Sequence, residues 1–380
     1  MILLLVLLCL VCAAAVVYPY AIYPLILARL PERPLRPLAE RRRGRLSLAF
    51  CAYNEAAVLP EKINNLRRLK EADPDLEILA YSDGSSDATA EMLQAEGDWI
   101  RVFAAGERHG KSQGMNTLVT AARGDIMVFT DANVLLEPAA LAALQRNFAD
   151  PSVGCVCGQL IYTNPEEGAT AATGSLYWRL EERVKALESR SGSTMGADGS
   201  IFAVRRALYR PVPPDIIDDM FVSLSILCDG YRVIRDPLVI AYERTATDSG
   251  EEFRRKVRIA CQAFNCHRLL RPRLRRLPAL DRFKYTSHKL LRWFGIYFFL
   301  LGAAAAAAWL VLQGLGLVAL AGLLLAVLGY AAGRAGVPRK LAQGVEIIRA
   351  MAATGWGLIR AQRGERFQTW ELPASSRKAG

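Results

Sequence analysis

Three apolar runs between residues 46 and 133 each break off into a polar cluster, and that repeat restricts the folds open to the chain. Leu46-Ser47-Leu48-Ala49-Phe50-Cys51 gives way to Ala52-Tyr53-Asn54-Glu55, and Leu76 to Tyr81 gives way to Ser82-Asp83-Gly84-Ser85-Ser86-Asp87. Ile126-Met127-Val128-Phe129 leads to Asp131-Ala132-Asn133. Leu59, Ile63 and Leu66 carry a helical period after the first cluster, so the pattern reads as strand, polar turn, helix. Strands alternating with helices make an α/β domain around a Rossmann-like sheet. Ligands bind at the carboxyl ends of strands in such sheets, so Asn54/Glu55, Asp83 and Asp131/Asn133 are expected to line one crevice.

Asp131 and Asn133 present two oxygens on one side of a strand end. Hard Mg²⁺ or Mn²⁺ prefers oxygen ligands and usually keeps substrate phosphates in its shell, so few protein ligands suffice. An Asp-x-Asn sequence also occurs in ordinary turns, Asp83 suits a turn, and Asp87 suits a helix N-cap.

The ordered set resembles the family 2 glycosyltransferases, which have the nucleotide-diphosphosugar transferase (GT-A) fold and include the cellulose and hyaluronan synthases. Ala52-Tyr53-Asn54-Glu55 is similar to the family's opening motif, Asp83-Gly84-Ser85-Ser86-Asp87 to its second and Asp131-Ala132-Asn133 to its metal motif; Gly110-Lys111-Ser112-Gln113-Gly114-Met115-Asn116 resembles the stretch between them. The resemblance runs from Leu46 to about His267. It implies that Ala52, Tyr53 and Glu55 meet the base and ribose, Asp83 the uracil imide and Lys111 the phosphates, with Asp131 on the donor side and Asp131/Asn133 on the metal. Each role suits the chemistry, since an ammonium offsets a diphosphate and a carboxylate accepts from an imide.

Further on, Thr194-Met195-Gly196-Ala197-Asp198-Gly199-Ser200 resembles the family's glycine-rich acceptor loop, which implies acceptor contacts through Gly196, Ala197 and Asp198. Asp218-Asp219 stands where relatives carry the acidic pair whose second member is the general base, making Asp219 the expected base with Asp218 beside it. A neighbouring acid raises a carboxylate's pKa toward usefulness. Processive synthases carry Gln/Arg-x-x-Arg-Trp on a following helix. Here Arg255 and Arg258 keep the two polar positions for diphosphate contacts, while Ile259 replaces the Trp. A branched aliphatic is a poor stacking platform for a sugar ring, which favours addition of one or a few sugars.

Met1 to Ala28 carries no charge, long enough to span about 30 Å of hydrocarbon, and lacks the basic start of a cleaved signal peptide. Arg29, Arg33, Arg36 and Arg41-Arg42-Arg43 follow, placing the next region in the cytoplasm. Trp293–Leu312 and Gly314–Gly333 are also uncharged and read as a hairpin, whereas Glu346 and Arg349 interrupt 341–359, which reads as an amphipathic interfacial or re-entrant helix. The expected division is a 1–28 anchor, a 29–44 basic Pro-rich linker, a 45–270 GT-A domain, a 271–292 basic interfacial segment, a 293–333 transmembrane hairpin, and a 334–380 amphipathic helix and tail.

The net charge of +11 suits donor phosphates and an anionic membrane surface, and no nucleic-acid-binding signature accompanies it. Cys261, Cys266 and His267 on one helix do not make a tetrahedral zinc site, and the eight cysteines read as reduced thiols. The expectation is an inverting transferase in the inner membrane, catalytic domain in the cytoplasm, moving a sugar from a nucleotide sugar, most simply a UDP-sugar, to a lipid-linked or glycan acceptor. A processive polysaccharide synthase is the alternative within enzymes, and a silent nucleotide-binding scaffold the alternative outside them.

Overall fold

The computed structural model describes residues 1–38, 44–334, 339–370 and 375; Arg41-Arg42-Arg43 and Glu371 lie outside them. An eight-stranded mixed sheet is ordered β3-β2-β1-β4-β7-β6-β8-β5. The strands are β1 (Leu46–Ala52), β2 (Glu77–Asp83), β3 (Ile100–Ala105), β4 (Ile126–Asp131), β5 (Leu135–Leu136), β6 (Val153–Tyr162), β7 (Ile201–Arg205) and β8 (Arg232–Glu243). β3, β2, β1 and β4 are parallel, and every residue of central β1 is buried, which is why that run is apolar on both faces. At β4 the sheet changes direction, because β7 pairs with it antiparallel. The second strand runs further than the apolar run suggests: Asp83 is its last paired residue, held in the ladder opposite Ala105.

In chain order the helices are α1 (Ile2–Val17), α2 (Ile22–Ala28), α3 (Leu59–Ala72), α4 (Thr89–Gln94), α5 (Lys111–Ala121), α6 (Ala140–Asn147), α7 (Ala169–Arg190), α8 (Asp218–Cys228), α9 (Ser249–Leu274), α10 (Ala279–Tyr285), α11 (Leu291–Trp293), α12 (Gly295–Leu312), α13 (Gly316–Arg334) and α14 (Arg339–Gln362). A one-turn π-helix, Thr286–Leu290, joins α10 to α11. Buried clusters cover both sheet faces, one built on Leu48, Phe50, Leu66 and Val128, the other on Phe129, Phe202, Leu224 and Cys266.

α12 and α13 are each long and apolar enough to cross a membrane. The first 28 residues are not one straight span: α1 and α2 meet at 55°. Pro19 sits in the break, where its missing N–H and its ring prevent continuous helix. α14 packs along α9 with Ala353, Leu358 and Ala361 buried, so it rests on the domain as an amphipathic helix.

The tight turn at Gln313-Gly314-Leu315, with Gly314 at φ +76°, puts Gln313 at the far end of the α12–α13 hairpin from Arg292 and Arg334. In a cysteine-free background, Gln313→Cys in sealed vesicles is expected to react with an impermeant maleimide from the face opposite to the one that labels Arg67→Cys; labelling of both from one face would overturn the crossing.

Candidate active site

The crevice forms at the carboxyl ends of β1, β2 and β4, and its centre is one lysine among carboxylates. Lys111 begins α5; its Nζ lies 2.8 Å from Asp131 Oδ1 at the end of β4 and 3.2 Å from Asp218 Oδ2 at the start of α8. Burial pulls the Lys111 ammonium down, but Asp131 and Asp218 outweigh it and hold it well above its usual pKa. Asp219 is raised to about 7 by burial and by the charge of Asp218, with Lys111 opposing. A carboxylate poised there serves as a base near neutral pH.

Asn116 explains how a segment remote in sequence reaches this centre. Its Nδ2 donates to Val212 O at 3.0 Å, and its Oδ1 accepts from Val212 N at 2.9 Å and Tyr209 Oη at 2.8 Å. Ser112 Oγ also donates to Ile216 O, so α5 carries both Lys111 and the strap that delivers Asp218 and Asp219.

The glycine-rich loop enters from the other side. Gly199 packs against Lys111 and Asp219, with a Cβ there meeting Lys111 Nζ at 3.4 Å and Asp219 Oδ2 at 3.5 Å. Ala197 N donates to Ser223 Oγ, which donates to Asp219 O, and Lys185 Nζ holds Asp198 at 3.0 Å. Gly196, Ala197 and Asp198 therefore stand beside the acidic pair, with the Asp198 carboxylate already engaged.

The first two motifs lock each other. Asn54, in the left-handed region at φ +52°, accepts from Ser86 N through Oδ1, and its own N–H donates to Ser85 Oγ. Asp87 accepts from Ala56 N and Thr89 N, so its role here is to hold the turn. Glu55 is buried, with its N–H donating to Thr89 Oγ1. Asp83 is fully buried and accepts from His109 N and Gly110 N, supporting the turn that presents Lys111.

Sequence reasoning missed Arg108. Its guanidinium carbon lies 3.6 Å from the centre of the Tyr53 ring, covering that face, and its NH2 donates to Trp370 O. The tail crosses the crevice mouth: Gln262 Nε2 donates to Phe367 O, Arg366 pairs with Asp215, and Trp370 meets Tyr53 edge-on.

Arg255 and Arg258 separate in role. Arg255 pairs with Glu252, whereas Arg258 donates to Gln262 and lies within electrostatic reach of Asp218, Asp131 and Asp219. Burial and Arg255 bring the Arg258 pKa down to about 10. The donor set suits a hard cation with few protein ligands: Asp131 contributes a partly exposed carboxylate, and Asn133 donates its amide N–H to Glu243, leaving its carbonyl oxygen for a ligand. A separate cavity of about 970 Å³ lies at the opposite end of the sheet, beside Gly44, Asp125 and Arg205, and holds none of these residues.

Comparison with known proteins agrees with this geometry. Residues 47–212 match the family model "Glycosyl transferase family 2". An N-acetylglucosaminyltransferase of Rhizobium leguminosarum bv. viciae is 25% identical over 61% of this chain and 58% of its own length. A poly-beta-1,6-N-acetyl-D-glucosamine synthase of Staphylococcus aureus is 25% identical over 57% of this chain and 53% of its own. The chain thus spans little more than half the length of these curated relatives. A mannosyltransferase of Pyrobaculum calidifontis, solved with GDP-Man and Mn²⁺, superposes with a TM-score of 0.74 at 23% identity, covering 95% of this chain and all of that one, and shares the fold.

With Asp219 raised to about 7, activity is expected to fall as pH drops through that value if its carboxylate takes the acceptor proton. Asp219→Asn should lower kcat by about 10² to 10⁴ with donor affinity nearly unchanged, whereas Asp83→Ala should weaken donor binding. A loss under about tenfold in Asp219→Asn, or a larger one in folded Asp218→Asn, would move the role. The fold is thus shared with the Pyrobaculum enzyme, and residues 47–212, which hold Lys111 and Asp131, match the glycosyl transferase family 2 model.

Proposed function

We propose that the protein transfers sugar from a nucleotide sugar, most simply a UDP-N-acetylhexosamine, with inversion, and does so repeatedly to extend a glycan. The observation that carries the transfer is the Lys111–Asp131–Asp218 cluster beside Asp219, a carboxylate raised to about 7 against the glycine-rich loop. Asp219 takes the proton of the acceptor hydroxyl as its oxygen bonds to the anomeric carbon. The bond from that carbon to the phosphate oxygen breaks, and its electron pair leaves with the nucleotide diphosphate. Lys111 and Arg258 offset the charge that develops there. Asp131 and Asn133 would hold Mg²⁺ or Mn²⁺, which supplies further charge neutralisation at the diphosphate; the Pyrobaculum mannosyltransferase carries Mn²⁺.

Repeated addition is favoured by two sequence relatives, one named an N-acetylglucosaminyltransferase and the other a poly-beta-1,6-N-acetyl-D-glucosamine synthase. Ile259 in place of the synthases' Trp supports the other reading, transfer of one or a few sugars to a lipid-linked or glycan acceptor. In either case we place the crevice on the cytoplasmic side of the inner membrane, where nucleotide sugars reside, with membrane lipids flanking α12 and α13.

Purified full-length protein is expected to release UDP from UDP-N-acetylglucosamine in a chelator-sensitive manner and to yield a ladder of products. One discrete product at all donor concentrations would restore single addition, full turnover in excess chelator would reject the metal, and no release from any nucleotide sugar would favour a scaffold.

A further inference from the structure

The glycine-rich loop is also tied, on the side away from Asp219, to both membrane elements through a single buried carboxylate. Glu188, near the end of α7, is completely buried. Its Oε2 accepts from Thr194 Oγ1 and from Met195 N, each at 3.0 Å. Its Oε1 accepts from Tyr23 Oη of α2 at 2.6 Å and meets His288 Nδ1 at 2.9 Å. His288 lies in the π-helix at the base of the α12–α13 hairpin, and its Nε2 is 2.8 Å from Glu181 Oε1. Both ring nitrogens thus face carboxylates, and only an imidazolium donates to both.

The remaining charges close the set. Glu181 also receives Lys289 and Arg292, whose other terminal nitrogen reaches Pro19 O in the break of the anchor. Lys284 Nζ, fully buried, donates to the carbonyls of Glu188, Ser191 and Ser193. Lys289 Cε comes within 3.9 Å of the position a Cβ on Gly196 would occupy. π-Turns inside helices are often kept at functional positions, because the extra residue redirects one side chain.

We propose that Glu188 and His288 are positioning residues that make the acceptor loop Thr194–Gly199 dependent on docking of the membrane stem and anchor. The ligand whose binding they control is the acceptor, and the donor site is left alone. This rests on the proposed function, in which the acceptor hydroxyl meets Asp219 against that loop, and on the acceptor contacts that the family resemblance implies for Gly196, Ala197 and Asp198. The physical reason is that the loop's hydrogen bonds to Glu188 are charge-assisted, and the carboxylate stays ionised and oriented in a buried setting because His288 and Tyr23 face it.

Hydrogen–deuterium exchange on the full-length, detergent-solubilised protein tests this without knowledge of the natural acceptor. In His288→Leu, amides of residues 194–199 are expected to exchange about tenfold faster, the scale of one lost charge-assisted hydrogen bond. Exchange in β1 and β4 and binding of UDP should remain as in the wild type. With UDP-N-acetylglucosamine and a short N-acetylglucosamine oligosaccharide as probe acceptor, KM for the oligosaccharide should rise about tenfold while KM for the donor holds.

Glu188→Gln keeps an oxygen for Thr194 and Met195 and offers its NH₂ to a neutral His288, so it should restore most of the protection that Glu188→Leu loses. Unchanged exchange at 194–199 in either leucine variant overturns the proposal, as does loosening of the loop and the central strands together. If His288→Leu does not fold, the Glu188 pair decides. Failure of the wild type to bind UDP would defeat the nucleotide-sugar reading alone, since loop exchange still reports the link.

Discussion

The ammonium of Lys111 is the interaction on which the site depends. Asp131, Asp218 and Asp219 come from two elements far apart in sequence, and carboxylates gathered in a crevice of reduced dielectric repel one another. One cation among them lets the end of β4 and the start of α8 meet across the line where the sheet changes from parallel to antiparallel. Removing one partner of such a group leaves an uncompensated charge, so site and fold are coupled there. In the same arrangement Asp218 faces Lys111 directly, and the charge of Asp218 helps push Asp219 upward.

A second polar knot does for the apolar helices what Lys111 does for the crevice. Glu181, Glu188 and His288 are almost completely buried between α7 and the stem of the hairpin, and each carboxylate is matched by donors. Charges are kept in such a place only when paired and hydrogen-bonded. The two knots are joined by the loop from Thr194 to Ser200, which touches Glu188 at one end and Asp219 at the other. The geometry of the catalytic domain and the docking of the apolar helices are therefore not independent.

Much of the crevice was legible along the chain. β1 and β4 follow from short apolar runs, and Asp131 follows from the point where the apolar run of β4 gives out. The adjacency of Asp218 and Asp219 at a helix start was also visible. Arg108 over Tyr53 was not, since the stack joins different strand ends and its link to Trp370 joins positions more than two hundred residues apart, and no local period records such contacts. The bend between α1 and α2 is an intermediate case: Pro19 marks it, but an uncharged run alone reads as one continuous span.

The sequence by itself determined the strand–turn–helix alternation of the first strands, the polar character of their ends and the uncharged apolar runs at 1–28 and 293–333, because backbone periodicity and side-chain polarity act over a few neighbouring residues. Tertiary structure decided which charges became partners. It turned Arg255 toward Glu252 while leaving Arg258 within reach of the acidic centre, engaged Asp198 with Lys185, and placed His288 between two glutamates. Those choices depend on distances of a few ångströms between elements remote in sequence, where burial multiplies the strength of each charge, and only the packed chain sets both the distance and the burial.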